Sequence, residues 1–157
     1  NDALFDALET GVVKRYITDF GTEDLLNKPN VTVFPHVGGS TGEAELNCAI
    51  MAGQTIRRFM ETGEIVNSVN FPRVQQALSA PYRITLINKN VPNIVARIST
   101  AVSDFNINID NIINRSKGEY AYTLLDLDET DKSKIDELVA KFEASDNIVR
   151  VRLIKGK

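Results

Sequence analysis

"YRITLINKNVPNIVARISTAVSDFNINID", residues 82–110, changes its hydrophobic period twice, and those two changes decide the fold. Ile84 and Leu86 alternate as in a strand. Ile94, Ile98, Val102 and Phe105 then recur at i, i+4, i+8 and i+11, the spacing of one helical face, before Ile107 and Ile109 return to alternation. The order is strand, helix, strand. Beyond it, a turn at "SKGE" with Gly118 leads into "YAYTLLDLD", where Ala121, Thr123, Leu125 and Leu127 share one face. Residues 131–144 return to helical spacing through Ile135, Leu138, Val139 and Phe142, and "NIVRVRLIK" alternates Val149, Val151 and Leu153 against Arg150 and Arg152. Residues 82–157 therefore read as βαββαβ, an α+β ferredoxin-like unit. Such a unit puts both helices on one face of its sheet. Tyr120, Tyr122 and Leu124 fall on the other face, so a partner sheet or domain is expected to cover them.

Working backwards, "FPRVQQALSAP" has two prolines and little periodicity, and residues 72–81 read as a linker. Residues 1–71 have a different character. Leu4, Phe5 and Leu8 predict a helix over 2–10 that Gly11 stops, and "VVKRYIT" and "VTVF" are short strand signals separated by a loop. Ser40 and Glu43 have the spacing of a capping box, from which a helix is expected to run to about Glu61, with Gly63 ending it and "EIVNSVN" forming a further strand. This succession is that of an α/β fragment. The sequence opens without methionine, inside a helical pattern, which adds to the expectation of a piece of a longer protein.

The composition narrows the class of function. With 157 residues, 43% hydrophobic and 25% charged, the chain has the balance of a globular protein. A net charge of −3 and no cluster of lysines or arginines argue against nucleic-acid and anionic-membrane partners. The single cysteine, Cys48, lies on an apolar helical stripe with Ala44, Met51, Ala52 and Ile56 and reads as a packing residue; with no signal peptide, a cytoplasmic location is expected.

Within "FPHVGGSTGEAE", residues 34–45, stands the only histidine, His36, between a strand signal and a helix start. Histidine titrates near neutrality, and the ends of α/β strands are where ligands bind. Glu23, in "DFGTEDLL", is the carboxylate that could hold one of its ring nitrogens. The "GGST" segment has two readings, as amides open to an anion or an amide-bearing cofactor, or as an ordinary helix start. No G-x-G-x-x-G, Walker A, metal-ligand spacing or G-x-S-x-G occurs in the sequence.

"ALFDALETG", "DFGTED", "PNVTVFPHVGGSTGEAE" and "VNSVNFP", in this order, resemble the last third of the D-isomer-specific 2-hydroxyacid dehydrogenases. Residues 82–157 resemble the ACT domain that many of these enzymes carry. The resemblance implies an NAD-dependent oxidation of a 2-hydroxy acid in the parent enzyme, with His36 as acid/base, Glu23 orienting it, and Val37, Gly38 and Gly39 contacting the nicotinamide end of the cofactor. The substrate-clamping arginine and the cofactor loop would lie upstream, and the loop between Glu23 and His36 is shorter than the family's.

For the ACT region the resemblance implies self-association, with a small amino acid, L-serine, held at the interface by asparagines expected at one end of the sheet: Asn88 and Asn90 at the end of the first strand and Asn108 at the entry of the second, one subunit's turn facing the other's strand. Asn93 stands where the family has glycine and Asn88 where it often has histidine, and both substitutions weaken the expected binding. Two other classes of function compete: a non-catalytic ACT module that senses an amino acid, and a module that only assembles subunits.

Overall fold

The computed structural model describes residues 1–156 and divides into two compact units, one of Asn1–Met51 and one from Ala52 onward, the division falling within a long helix. The first unit holds α1 (Asp2–Glu9), β1 (Tyr16–Thr18), a single 3-10 turn (Glu23–Leu25), β2 (Val31–Val33) and the start of α2 (Gly42–Thr62). β1 and β2 pair in parallel, Thr18 opposite Val33. α2 starts one residue away from the expected capping box. Thr41 accepts from the Ala44 amide at 3.1 Å, so Thr41 and not Ser40 is its cap.

In the second unit β3 (Tyr82–Lys89), α3 (Ile94–Ser103), β4 (Asn108–Lys117), β5 (Tyr120–Asp128), α4 (Lys132–Glu143) and β6 (Ile148–Lys155) follow the expected order. The sheet order is β4-β5-β3-β6, with every neighbouring pair antiparallel. That is the ferredoxin-like arrangement. Ile84, Leu86, Leu125 and Leu127 form the sheet side of the main core, and Ile98, Val102, Ile135 and Leu138 supply the helix side. Their burial follows from the two periods read in the sequence.

The opposite sheet face departs from expectation. Tyr122 and Leu124 are buried, but by the chain's own residues: Ile65 and Val74 pack on them, with Phe71, Ile87 and Ile113 around the edge. "EIVNSVN" forms no strand; only Ile65 and Val74 make an isolated bridge, and Asn67, at φ +55°, turns the chain out of an extended path. The segment 72–81, expected as a linker, lies inside the second unit with Val74 only 1% exposed. Gly63 brings the chain onto the sheet. A Cβ there would meet Thr85 Cγ2 at 2.5 Å, its φ is +70°, and its carbonyl accepts from the Tyr122 hydroxyl at 2.7 Å.

Arg83 fastens this segment. Its Nε and one Nη donate to the two Asp126 carboxylate oxygens at 2.5 and 2.7 Å, and the remaining donors reach the carbonyls of Thr62, Gln76 and Ala77 at 2.8, 2.9 and 3.1 Å. Arg83 and Asp126 are 0% and 1% exposed. Removing the guanidinium strands a buried carboxylate and three carbonyls. Arg83→Met is expected to cost about 3–5 kcal/mol in urea unfolding, and Arg83→Lys to recover only a minor part, because an ammonium cannot reproduce the fork. Wild-type stability in either variant would show that the clamp does not hold the segment.

A second expectation concerns pH. Glu129 precedes α4 and accepts from the amides of Asp131 and Thr130 and from Lys134 Nζ, which lowers its pKa from 4.5 to about 2, the Asp131 amide contributing most. A depressed carboxylate stabilises the fold above its unfolded pKa and loses that contribution as the pH falls through its folded value. Thermal melts between pH 4.5 and 2 should show a stability loss that Glu129→Gln removes. An identical acid profile in the variant would contradict this.

Candidate functional site

Because β1 and β2 are parallel, their C-terminal ends emerge side by side, and the residues just beyond them are neighbours whatever their distance in sequence. Phe34 extends the pairing by one bond, its amide donating to the Thr18 carbonyl at 3.1 Å. Asp19 and Phe20 follow β1; Pro35 and His36 follow β2. The Thr18 hydroxyl accepts from the Phe20 amide at 3.0 Å and so fixes the bend that presents Asp19. Gly21 lets this bend lie against β2, since a Cβ there would overlap Val33 Cγ1.

His36 Nε2 stands 3.8 Å from Asp19 Oδ2, and its ring meets Phe20 edge-on with centroids 4.4 Å apart. The spacing is beyond hydrogen-bond length, and the side chains are 56% and 34% exposed. Glu23 begins the turn Glu23–Leu25, which the buried Leu25 anchors. Asn1 ties down the same turn by donating to Thr22 Oγ1 and Asp24 Oδ2. The Thr22 hydroxyl, and after it the Asn1 amide, hold the Asp24 carboxyl below its ordinary value by hydrogen bonding. Among the described residues no ion pair or hydrogen bond joins Glu23 to His36. The carboxylate within 4 Å of His36 is Asp19, and its signal in the sequence was its place directly after a strand parallel to the one that His36 follows.

After His36 the chain makes a tight turn, with Val37 N–H to the Pro35 carbonyl at 2.9 Å and Ser40 N–H to the Val37 carbonyl at 3.0 Å. The amides of Gly38 and Gly39 have no hydrogen-bond partner among the described residues, and a Cβ on either would meet nothing within 4 Å. Val37 is 52% exposed. Free amides on an open loop beside His36 could donate to a carbonyl or anionic oxygen.

The second candidate is the turn after β3. Asn88 is wholly buried, while Asn90 is exposed, with Nδ2 donating to the Gly118 carbonyl at 3.1 Å. Asn93 adopts φ +63°, so it takes the left-handed conformation that a glycine would supply. Asn108 is not near them. It pairs with Asp128, whereas Asn88 pairs with Ala121, so the two lie toward opposite ends of the sheet. The expected grouping at one end is corrected by strand direction: a helix crossover makes β3 and β4 run the same way, and the end of one is remote from the start of the other.

No family model matches the sequence. D-3-phosphoglycerate dehydrogenase 2 of Saccharomyces cerevisiae is 32% identical over 139 residues, covering 85% of this chain and 29% of that protein. D-3-phosphoglycerate dehydrogenase of Escherichia coli K12 is 26% identical over 133 residues, covering 85% of this chain and 32% of that protein. The chain is a relative of the D-3-phosphoglycerate dehydrogenases. It spans 29% and 32% of the length of these two. Among solved structures, the ACT domain of a GTP pyrophosphokinase from Chlorobium tepidum aligns with 46% of this chain and 95% of its own length, at 18% identity and a TM-score of 0.43. Among the described residues of this dehydrogenase relative, no helix is long and apolar enough to cross a membrane, and no group of side chains is arranged to hold a metal.

The left-handed residue gives a direct check on the second candidate. Asn93→Gly is expected to leave stability unchanged or slightly raised, and Asn93→Ala to lower it by about 1 kcal/mol. Equal unfolding midpoints for the two variants would contradict the positive φ.

Proposed function

We propose that this chain is part of an NAD-dependent D-3-phosphoglycerate dehydrogenase, oxidising 3-phosphoglycerate to 3-phosphohydroxypyruvate on the route to L-serine in the cytoplasm. The observation that carries the reading is the relationship to dehydrogenases of that name over 85% of the chain, a span in which His36 sits at the end of two parallel strands beside a carboxylate. NAD, when bound, accepts the hydride from the substrate carbon. His36 takes the hydroxyl proton, and a carboxylate stabilises the resulting imidazolium. Asp19, 3.8 Å from His36 Nε2, and Glu23, which the resemblance implies, are the two carboxylates that could take this role in the reading. Gly38 and Gly39 would hold the nicotinamide end through their free amides, with Val37, whose N–H and carbonyl close the turn, beside it. Residues from Tyr82 onward form the regulatory ACT domain of the reading, associating with a second copy and binding L-serine.

The test uses the full-length parent. His36→Ala should lower kcat by roughly 10²- to 10⁴-fold while NAD affinity changes little. Asp19→Asn and Glu23→Gln separate the two carboxylates: the one that orients His36 moves the acidic limb of the pH–rate profile, and the other leaves it in place. Unchanged profiles in all three variants would overturn the assignment of His36. The 157-residue chain assayed alone should show no NAD-dependent turnover, since it carries no cofactor-binding glycine loop.

A further inference from the structure

Asn88 is 0% exposed, and its side chain is the last link of a chain of hydrogen bonds that crosses three strands. Asn114 Nδ2, on β4, donates to Thr123 Oγ1, on β5, at 2.7 Å; the Thr123 hydroxyl donates to Asn88 Oδ1, on β3, at 2.8 Å; and Asn88 Nδ2 donates to the Lys89 carbonyl at 3.1 Å. The bonds run in one direction. Thr123 has a single proton, and with Asn114 donating to its oxygen that proton goes to Asn88, which must therefore present its carbonyl oxygen and leave its amide group for Lys89. Thr123 is itself 0% exposed, and no buried side-chain polar atom among the described residues lacks a partner.

The Lys89 carbonyl on which this chain ends also accepts from the Val91 amide at 3.0 Å, closing the turn. The neighbouring loops grip the same turn. Lys89 N–H donates to the Asn147 carbonyl at 2.9 Å, and Asn90 N–H to the Glu119 carbonyl at 2.8 Å. Asn90, by contrast, uses its Nδ2 on Gly118 and keeps its side-chain oxygen without a partner among the described residues.

We propose that Asn88 is a positioning residue and not a ligand of the effector: together with Thr123 and Asn114 it sets the Lys89–Asn93 turn, from which Asn90 contacts the amino acid. The proposal rests on the reading of this turn as an amino-acid site. Asn88 keeps one lone pair and one N–H, but its side chain is 0% exposed, so a ligand could reach them only by opening the turn that the bonds to Thr123 and Lys89 hold.

The test compares the full chain with Thr123→Val and Asn90→Ala, using NMR amide exchange and calorimetry with L-serine. Thr123→Val keeps the shape but removes the hydroxyl. It should raise exchange at Asn90 and Val91 by about tenfold more than at Leu125 and Leu127, and weaken serine binding by about tenfold although residue 123 is out of reach of any ligand. Asn90→Ala should weaken serine binding with no change in exchange at Lys89. If Thr123→Val does not fold, Asn114→Ala, which removes only the first and half-buried link, should give the same pattern with smaller amplitude. Exchange that is unchanged, or that rises equally at the turn and in the middle of β5, would overturn the positioning role. A wild-type chain that binds no serine would overturn the amino-acid reading alone, and the exchange pattern would still decide whether the three side chains set the turn.

Discussion

Five donors of one guanidinium hold the covering segment of the second unit onto its sheet. Arg83 lies in β3, flanked by the paired strands β5 and β6, on the face that α3 and α4 leave bare. Two of its bonds satisfy Asp126 on the neighbouring strand; the other three take carbonyls from the end of α2 and from residues 76 and 77. Burying such a pair without full satisfaction would be costly, since each ion loses its hydration. Here the charge is neutralised by one carboxylate and every N–H has an acceptor, so the cost is offset while the geometry is specified. The covering of Tyr122 and Leu124 depends on it, because Ile65 and Val74 come over those side chains on the segment that Arg83 ties down.

The supporting bonds extend the same arrangement. Glu64 accepts from the Gln76 amide at 2.7 Å, which joins the two arms of the covering segment, and Arg58 approaches the same carboxylate at 3.2 Å. Arg152, on β6, donates to the carbonyls of Phe59 and Met60 and stacks on the Phe59 ring. The last turn of α2 is therefore held by arginines from two adjacent strands. Orphan carbonyls at a helix C-terminus attract cations, and here two guanidinia supply both the charge and the hydrogen bonds.

What the sequence made legible was the part of the fold that depends on local period. All six elements from Tyr82 onward appear where alternation and helical spacing place them, because each must bury one face against the others. The covering segment was not legible. Arg83 between Tyr82 and Ile84 has the pattern of a solvent-facing strand position, and nothing in its neighbours announces that carbonyls from 62, 76 and 77 will enclose it. The surroundings of His36 were legible only in part. Its place at a strand end was readable, but which carboxylate lies beside it depends on how two parallel strands align, and Asp19 stands closer to the end of β1 than Glu23.

Strand direction also constrains how an amino acid could be held. From Ala121, the partner of Asn88, to Asp128, the partner of Asn108, β5 advances seven residues (128 − 121), a distance of about 23 Å at strand spacing. A free amino acid is one residue long, roughly 3.5 Å of backbone. It cannot touch the turn after β3 and Asn108 of the same chain. A site that uses both must take Asn90 from one copy and Asn108 from another, with the two sheets running in opposite directions so that the end of one meets the start of the other. That arrangement is two-fold symmetric and creates two equivalent sites. A ligand bound there would bridge the copies, and its binding would be linked to their association through the same free energy. Effector binding that is independent of protein concentration, in a chain that stays monomeric, would be incompatible with any site containing Asn108.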